Sequence, residues 1–119
     1  MIARLWRGVV ATEKTAEYVE IVERTGMSEY RETPGNLAAQ IITRDLGDGR
    51  TEIATLSWWT DRESMRQVQP RPKNIVAFAG DPIDQAHYYP EDDDYLIDRD
   101  RTVAHYEVAE PAEAGDLLP

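Results

Sequence analysis

The sequence predicts an α+β domain of the ferredoxin-like type, with the element order βαββαβ and one antiparallel sheet. Two patterns predict this order. A strand-like run precedes a single amphipathic helix, and two further strand-like runs follow that helix as a hairpin. A chain of 119 residues has the usual size of one domain and is too short for two cores. We therefore expect one domain over residues 1–109 and an acidic, flexible tail over residues 110–119.

The first half of the predicted order is a strand followed by a helix. Residues 2–10 mix β-branched, aromatic and apolar side chains, which predicts a strand in which Gly8 marks a bulge or a close backbone approach. Residues 12–25 carry apolar side chains at helical spacing, with Thr12 as the expected N-cap. Because Gly26 follows directly, we expect the helix to end there.

The next two strands form a predicted hairpin. The turn residues Thr33-Pro34-Gly35-Asn36 precede a run over residues 37–44, and Gly47-Asp48-Gly49 separates that run from residues 51–59. Asp61 is then the expected N-cap of the second helix.

The second helix is predicted in two pieces. Residues 67–74 contain two prolines and look inserted, so the helix should break there and resume over residues 75–79. Pro82 suits the first position of a further short helix. Residues 102–109 alternate as a last strand. The side chains expected to pack inward from the short helix are Ile83 and Ala86.

Composition excludes several classes of function. Twenty-three acidic residues against 13 basic ones give a net charge of −10, which would repel a nucleic acid backbone. No apolar run approaches the roughly 20 residues that cross a bilayer, so we expect no membrane association. The chain has no cysteine and opens directly on a strand without a secretory signal, and we therefore expect a cytoplasmic protein. Two distant histidines provide no metal-ligand spacing, and no glycine-rich phosphate loop is present.

Several segments resemble the antibiotic-biosynthesis-monooxygenase-like proteins of the dimeric α/β-barrel superfamily. The resemblance covers nearly all of residues 1–108 and implies a ferredoxin-like unit that pairs with a second copy into a dimeric α/β barrel. The segments that carry it are MIARLWRG at 1–8, TPGN at 33–36, LSWW at 56–59, AFAG at 77–80, AHYYPED at 86–92 and VAHYEV at 103–108.

A homodimer is also expected because helices cover only one face of such a sheet. The apolar side chains expected on the uncovered face, against the second copy, are Trp6, Ile41, Ile53 and Trp59.

The resemblance implies a cofactor-independent monooxygenase acting on a small aromatic or polyketide-like substrate. The superfamily also contains lactone isomerases and haem-degrading enzymes, so a lactone or enol isomerase and a non-catalytic dimer that binds a small ligand are alternatives. The haem-degrading members use an Asn on the first strand and a His on the second helix as the iron ligand. Haem degradation is less expected here, because the first strand has no Asn and His87 lies beyond Gly80 rather than within the second helix.

A cluster of three residues provides the expected proton-transfer chemistry. His87 can accept a proton at neutral pH and turn a phenol into an electron-rich anion. Tyr88 and Tyr89 can hold the substrate oxygen. The alternative is a surface histidine beside two tyrosines that anchor a loop.

Further candidates come from the strands. Arg4 shares its face with Trp6, so it should point with it toward a dimer-side cavity and stabilise an oxyanion there, although an ordinary edge-strand arginine is equally compatible. Trp58 and Trp59 should face opposite sides, and the resemblance favours Trp59 as a cavity wall over a packing role for both. Asn36 either orients a substrate carbonyl or is simply a turn residue.

The last strand carries three polar side chains, His105, Tyr106 and Glu107. His105 and Glu107 share one face, and Tyr106 lies on the other. We expect them to serve the dimer interface or the strand ladder rather than the site.

Overall fold

The computed structural model describes residues 1–67 and 80–109. Its longer elements are the strands β1 (Ile2–Ala11), β2 (Asn36–Asp45), β3 (Arg50–Trp59), β4 (Leu96–Arg99) and β5 (Ala104–Glu107) and the helices α1 (Thr15–Val22) and α2 (Ser28–Glu32). A π-helical turn, Glu23–Met27, joins the two helices. Short 3-10 turns occupy Thr12–Lys14, Glu63–Gln67, Pro82–Asp84 and Pro90–Asp94.

The sheet is antiparallel, with β1 at its centre and the order β2-β3-β1-β4. β1 pairs along its whole length with β3, from Ile2 opposite Trp59 to Ala11 opposite Arg50. The other edge of β1 is shared, because β5 pairs with its first half and β4 with its second half. This order is the ferredoxin-like arrangement, and it confirms the predicted fold class.

The first helical segment is longer than predicted. It was expected to end at Gly26, but the chain passes through that residue in the π turn and continues to Glu32. The expected end is wrong because Gly26 does not adopt the positive φ of a glycine cap. That conformation occurs at Gly35 (φ 96°), three residues after the helix ends at Glu32, and at Gly47 and Gly49 in the predicted hairpin turn.

The C-terminal part of the sheet also differs from the prediction. One strand was expected over residues 102–109, whereas the structure has the four-residue β5 and, before it, the unpredicted β4. β4 follows an acidic 3-10 turn and is half charged, so its sequence has no clear alternation and its pairing with β1 alone defines it. The short helix Pro82–Asp84 is confirmed. Asp81 caps it by accepting a hydrogen bond from the Ile83 backbone N–H, and Ile83 and Ala86 are both buried.

Some predictions lie outside the described residues. The 3-10 turn Glu63–Gln67 follows Asp61, as expected for the start of the second helix. Most of the inserted segment 67–74, the second helical piece 75–79 and the tail 110–119 are not described. No helix in the described part of the chain is long and apolar enough to cross a membrane.

The two faces of the sheet were assigned the wrong way round. Trp6 and Ile53 pack in the main core with the helix residues Tyr18 and Met27, while Trp59 packs in a second core cluster. Strand parity identifies which residues share a face, but it does not identify the face that the helices cover. We call the helix-covered side the inner face. The opposite, outer face carries Ala3, Leu5, Ile42, Ala54, Leu56, Trp58 and Tyr106.

Candidate functional site

A cavity of about 180 Å³ lies between the inner face of the sheet, the helical segment and the loop after residue 80. β1 contributes Arg4 and Trp6, and α2 contributes Tyr30. The π turn places Gly26 in the wall, where an added Cβ would meet no atom within 4 Å. The lining is predominantly apolar and aromatic, with a few polar groups, which is typical of small-molecule sites.

Five of the predicted site residues line this cavity, namely Arg4, Trp6, His87, Tyr88 and Tyr89. His87 is exposed and therefore lies at the mouth of the cavity, whereas the other four are buried or half-buried. The cavity was expected on the dimer side of the sheet. It lies within one chain instead, because Arg4 and Trp6 are on the inner face.

Trp59 and Asn36 do not line the cavity. Trp59 is fully buried, donates a hydrogen bond to Ser57 Oγ (2.9 Å) and packs edge-on against the ring of Tyr30, which does line the cavity. Asn36 donates its side-chain amide to the carbonyl oxygens of Ala38 and Trp58 at the start of β2. In this structure Trp59 supports a wall residue from behind, and Asn36 stabilises a strand end.

Arg4 is the centre of one polar network, which we call the Arg4 network. Its Nε donates to Tyr30 Oη (2.9 Å), and its Nη1 donates to the Ile83 carbonyl (2.5 Å) and faces His105 Nε2 (2.7 Å). His105 Nδ1 lies 2.8 Å from Asp84 Oδ1. Arg4 is 8% exposed and forms no ion pair with a carboxylate among the described residues. Asp84 is linked to Arg4 only through His105.

Arg66, the other arginine in the cavity wall, is satisfied differently. It forms two 2.8 Å bonds to the carboxylate of Asp81 and a further one to Glu63. The hydrogen bonds to Asp81 are the main cause of the raised pKa of Arg66. A ligand anion would compete with these carboxylates at Arg66 but not at Arg4.

Trp6 and Tyr88 form a second contact across the cavity. Trp6 Nε1 donates to Tyr88 Oη (2.7 Å), and the Tyr88 hydroxyl donates to the Asp100 carbonyl. Burial, more than any other cause, raises the pKa of Tyr88 to about 12, although the Trp6 hydrogen bond opposes this shift. Tyr88 therefore stays a neutral phenol at physiological pH and cannot act as a base there. Gly8 makes room for this contact, since an added Cβ would lie 2.7 Å from the Trp6 ring, and the predicted close approach is observed.

Asp92 is the centre of a third group, the Asp92 network. This carboxylate is 4% exposed, accepts a hydrogen bond from Tyr18 Oη (3.1 Å) and accepts another from the Tyr89 backbone N–H (2.6 Å). Burial raises the pKa of Asp92, and burial together with the nearby Asp92 charge raises the pKa of Tyr18. The Tyr89 hydroxyl donates to the carboxylate of Glu29.

Sequence reasoning missed Tyr30 and Asp84 and placed His105 on the strand ladder or at a dimer interface. Tyr30 follows the glycine at which the helix was expected to end, so it was not assigned to any inner face. The signal for His105 was present, because a final antiparallel strand beside β1 brings one of its residues opposite Arg4, and His105 occupies that register position. The contact between Asp84 and His105 is visible only in the three-dimensional structure.

Among the comparisons with known proteins, the comparison with solved structures supports the fold. No protein-family model matches the chain, and no curated protein matches it. A crystal structure of a protein from Bacillus cereus, described as a putative antibiotic biosynthesis monooxygenase, superposes with a TM-score of 0.60. The alignment covers 95% of each chain at 16% identity. The likeness shows the fold. Fold alone does not assign a reaction.

Arg4 and Tyr30 are hydrogen-bond donors at the cavity wall. Tyr30 accepts its hydrogen bond from Arg4, and its own hydroxyl hydrogen has no acceptor among the described residues. Arg4 and Tyr30 together therefore offer adjacent donors to an oxyanion, which is the arrangement that stabilises developing negative charge. Among residues 1–67 and 80–109, no group of three carboxylate or imidazole side chains converges in a way that would hold a metal ion.

Proposed function

We propose that this chain is a cofactor-independent monooxygenase that oxidises a small aromatic or polyketide-like substrate in the inner cavity. One observation supports it above the others. The buried guanidinium of Arg4 faces an aromatic cavity without a carboxylate bonded to it in the described part of the chain. A buried cation of this kind favours the ionised form of a phenol or enol, and that form is the electron-rich species able to reduce oxygen.

The proposed reaction begins with loss of the substrate proton. His87, at the mouth of the cavity, takes the hydroxyl proton of a phenol, and Arg4 and Tyr30 hold the resulting phenolate oxygen. Tyr88 and Trp6 form the wall against which the ring packs. Tyr88 acts as a neutral hydrogen-bonding group, because its pKa is about 12.

Oxygen then reacts with the phenolate carbon opposite the oxyanion. One oxygen atom becomes the new carbonyl of a quinone, and the other leaves as water with the ring hydrogen and the hydroxyl hydrogen of the substrate. The substrate supplies all four electrons that reduce the oxygen molecule, so the balance needs no further reductant. The protein contributes proton removal, orientation and charge stabilisation.

Oxygen consumption tests this proposal. Purified protein is assayed with a panel of polycyclic phenols and hydroquinones, and binding is measured on the same samples. We expect the His87→Ala variant to lose about 10²–10⁴-fold in turnover, the usual contribution of a general base. Asp94→Ala, at an exposed position in the same part of the chain, is the matched control and should keep full turnover.

Other outcomes would assign the cavity to another function. Full turnover in His87→Ala would remove the proposed base. Saturable binding without oxygen uptake would favour a small-ligand-binding protein, and product formation without oxygen would favour a lactone or enol isomerase.

We also propose that two copies pair through the outer face. Leu56 lies beside Leu5 on this face, and Tyr106 lies beside Ala3 and is 54% exposed. Ile42 adds a further exposed apolar side chain on β2. Apolar side chains that are exposed together on one sheet face are often covered by a partner.

Sedimentation velocity tests the dimer. The wild type should sediment as a dimer at micromolar concentration, and Leu56→Lys should sediment as a monomer because it places a charge in the middle of the apolar face. Ala16→Lys makes a matched change at an exposed position of α1 and should leave the dimer intact. A monomeric wild type would contradict the proposal.

A further inference from the structure

The link between Arg4, His105 and Asp84 fixes the protonation state of the histidine. A guanidinium has only donors, so His105 Nε2, 2.7 Å from Arg4 Nη1, must present its lone pair. The ring hydrogen then sits on Nδ1, where it is donated to the Asp84 carboxylate at 2.8 Å. The network is complete with a neutral His105 in the Nδ1–H tautomer.

We propose that His105 and Asp84 are positioning residues that hold the Arg4 guanidinium at the cavity wall. The cavity consequently selects ligands that carry an anionic oxygen, such as a phenolate, enolate or carboxylate, and loses this selectivity in acid. The inference rests on the proposed ligand site in the cavity, but it does not require the oxidation step.

The cavity should select an anion because none of the groups bonded to Arg4 neutralises its positive charge. The groups bonded to Arg4 are a phenol oxygen, a peptide carbonyl and a neutral imidazole. A buried cation held only by neutral acceptors keeps most of its desolvation cost, and an incoming anion offsets that cost. Asp84 does not cancel the charge, because His105 stands between them and because Asp84 is also close to Arg62, at 3.7 Å.

The loss of selectivity in acid follows from the same geometry. A protonated imidazole carries hydrogens on both nitrogens, so two donors would face each other across the 2.7 Å between His105 and Arg4. The Arg4 side chain would then have to turn away from its cavity position.

Burial and the charged groups around His105 determine the pH at which it becomes protonated. Burial, followed by the charge of Arg4, lowers the pKa of His105, the Asp84 hydrogen bond and charge oppose the shift, and Arg62 adds a smaller lowering effect. The change therefore occurs below the ordinary histidine range of about 6.5.

A pair of probes with one shape and two charges tests the selection. We would measure binding of 2-naphthoate and of its neutral analogue 2-naphthamide to the full chain by calorimetry. At pH 7.5 the wild type should bind 2-naphthoate more tightly, by on the order of tenfold, because one charged hydrogen-bonding partner is worth that much. Between pH 7.5 and 5.0 this ratio should fall, while the affinity for the amide should change little.

Two variants at residue 105 separate positioning from a general structural role. His105→Gln keeps an oxygen acceptor for Arg4 but cannot be protonated, so it should retain the preference for the anion and lose its pH dependence. His105→Leu removes the acceptor and should bring the affinity ratio close to one. Binding of the neutral amide reports whether each variant still folds with an intact cavity, since a collapsed cavity would lose both probes.

Several results would overturn the inference. These are equal affinity of the wild type for the two probes, binding of neither probe, or an unchanged ratio in His105→Leu. An independent check is the ¹⁵N spectrum of His105, which should show the Nδ1–H tautomer at neutral pH. The chain has two histidines, so the His87→Ala variant assigns the signals.

The outcome is separable from that of the oxidation proposal. Anion selectivity without oxygen uptake would leave this inference standing and remove the proposed reaction. Oxygen uptake that is unchanged in His105→Leu would leave the proposed reaction standing and remove this inference.

Discussion

The Arg4 and Asp92 networks hold buried charges of opposite sign in the same cavity, and both charges are satisfied by neutral groups. Arg4 is held by a phenol oxygen, a carbonyl and an imidazole. Asp92 is held by the Tyr18 hydroxyl and a backbone N–H. Because neither charge is cancelled by a direct ion pair within its network, each is available to a ligand or to a change in pH. Both groups differ in this respect from Arg66 in the same cavity wall, which is paired with Asp81 and Glu63.

The Asp92 network includes a bond within a local turn, which the Arg4 network lacks, although the Tyr18–Asp92 bond also joins residues 74 positions apart. The Asp92 carboxylate bonds the backbone N–H of Tyr89, three residues earlier, and so caps the 3-10 turn Pro90–Asp94. Arg4 bonds groups 26, 79 and 101 residues away. Asp92 therefore stabilises a local turn in addition to lining the cavity, whereas Arg4 ties three separate parts of the chain to the ligand site.

Removal of the Asp92 carboxylate should destabilise the folded chain. Asp92→Ala should lower the free energy of unfolding by about 1–3 kcal/mol, because it leaves the fully buried hydroxyl of Tyr18 and the N–H of Tyr89 without an acceptor. Urea denaturation followed by tryptophan fluorescence measures the change.

A double-mutant cycle with Tyr18→Phe isolates the Tyr18 bond. The double variant should lose less stability than the sum of the two single variants, by roughly 0.5–3 kcal/mol, because the unsatisfied hydroxyl is then absent. Strict additivity would show that the 3.1 Å contact between Tyr18 and Asp92 contributes nothing.

The local nature of the sheet elements explains why most of the fold could be predicted from the sequence. The strand-like composition of residues 2–10 and the hairpin turn with Gly47 and Gly49 are short-range patterns, and the strand and turn that they predict are confirmed. The passage of the helix through Gly26 and the strand β4 could not be predicted, because a π turn and a four-residue half-charged strand have no distinctive local pattern. Their positions are set by packing and by pairing with β1.

Part of the candidate site could also be predicted from the sequence, and part could not. The contiguous group His87, Tyr88 and Tyr89 and the parity of Arg4 with Trp6 were visible in the sequence, and the structure brings these residues to one cavity. Parity could not tell which face the helices cover, and for this reason the cavity was expected on the wrong side of the sheet. The partners of Arg4 depend on contacts between distant segments, and the sequence alone does not show such contacts.

The two networks should also give the stability of the chain pH dependences of opposite sign. His105 has a lowered pKa in the folded chain, so its contribution is fully present above the unfolded value of about 6.5 and is lost as the pH falls below it. Asp92 has a raised pKa, so protonation favours the folded chain, and this contribution is lost as the pH rises through the folded pKa. Acidification should therefore act on the two networks in opposite directions.

Single substitutions should reveal these opposite signs. Between pH 7.5 and 4.5, His105→Gln should lose less stability than the wild type, because it removes a group that is destabilised by protonation. Asp92→Asn should lose more than the wild type over the same range, because it removes the group whose protonation favours folding. Parallel stability profiles for both variants and the wild type would mean that neither pKa changes on folding, and this result would contradict the opposite responses of the two networks to acid.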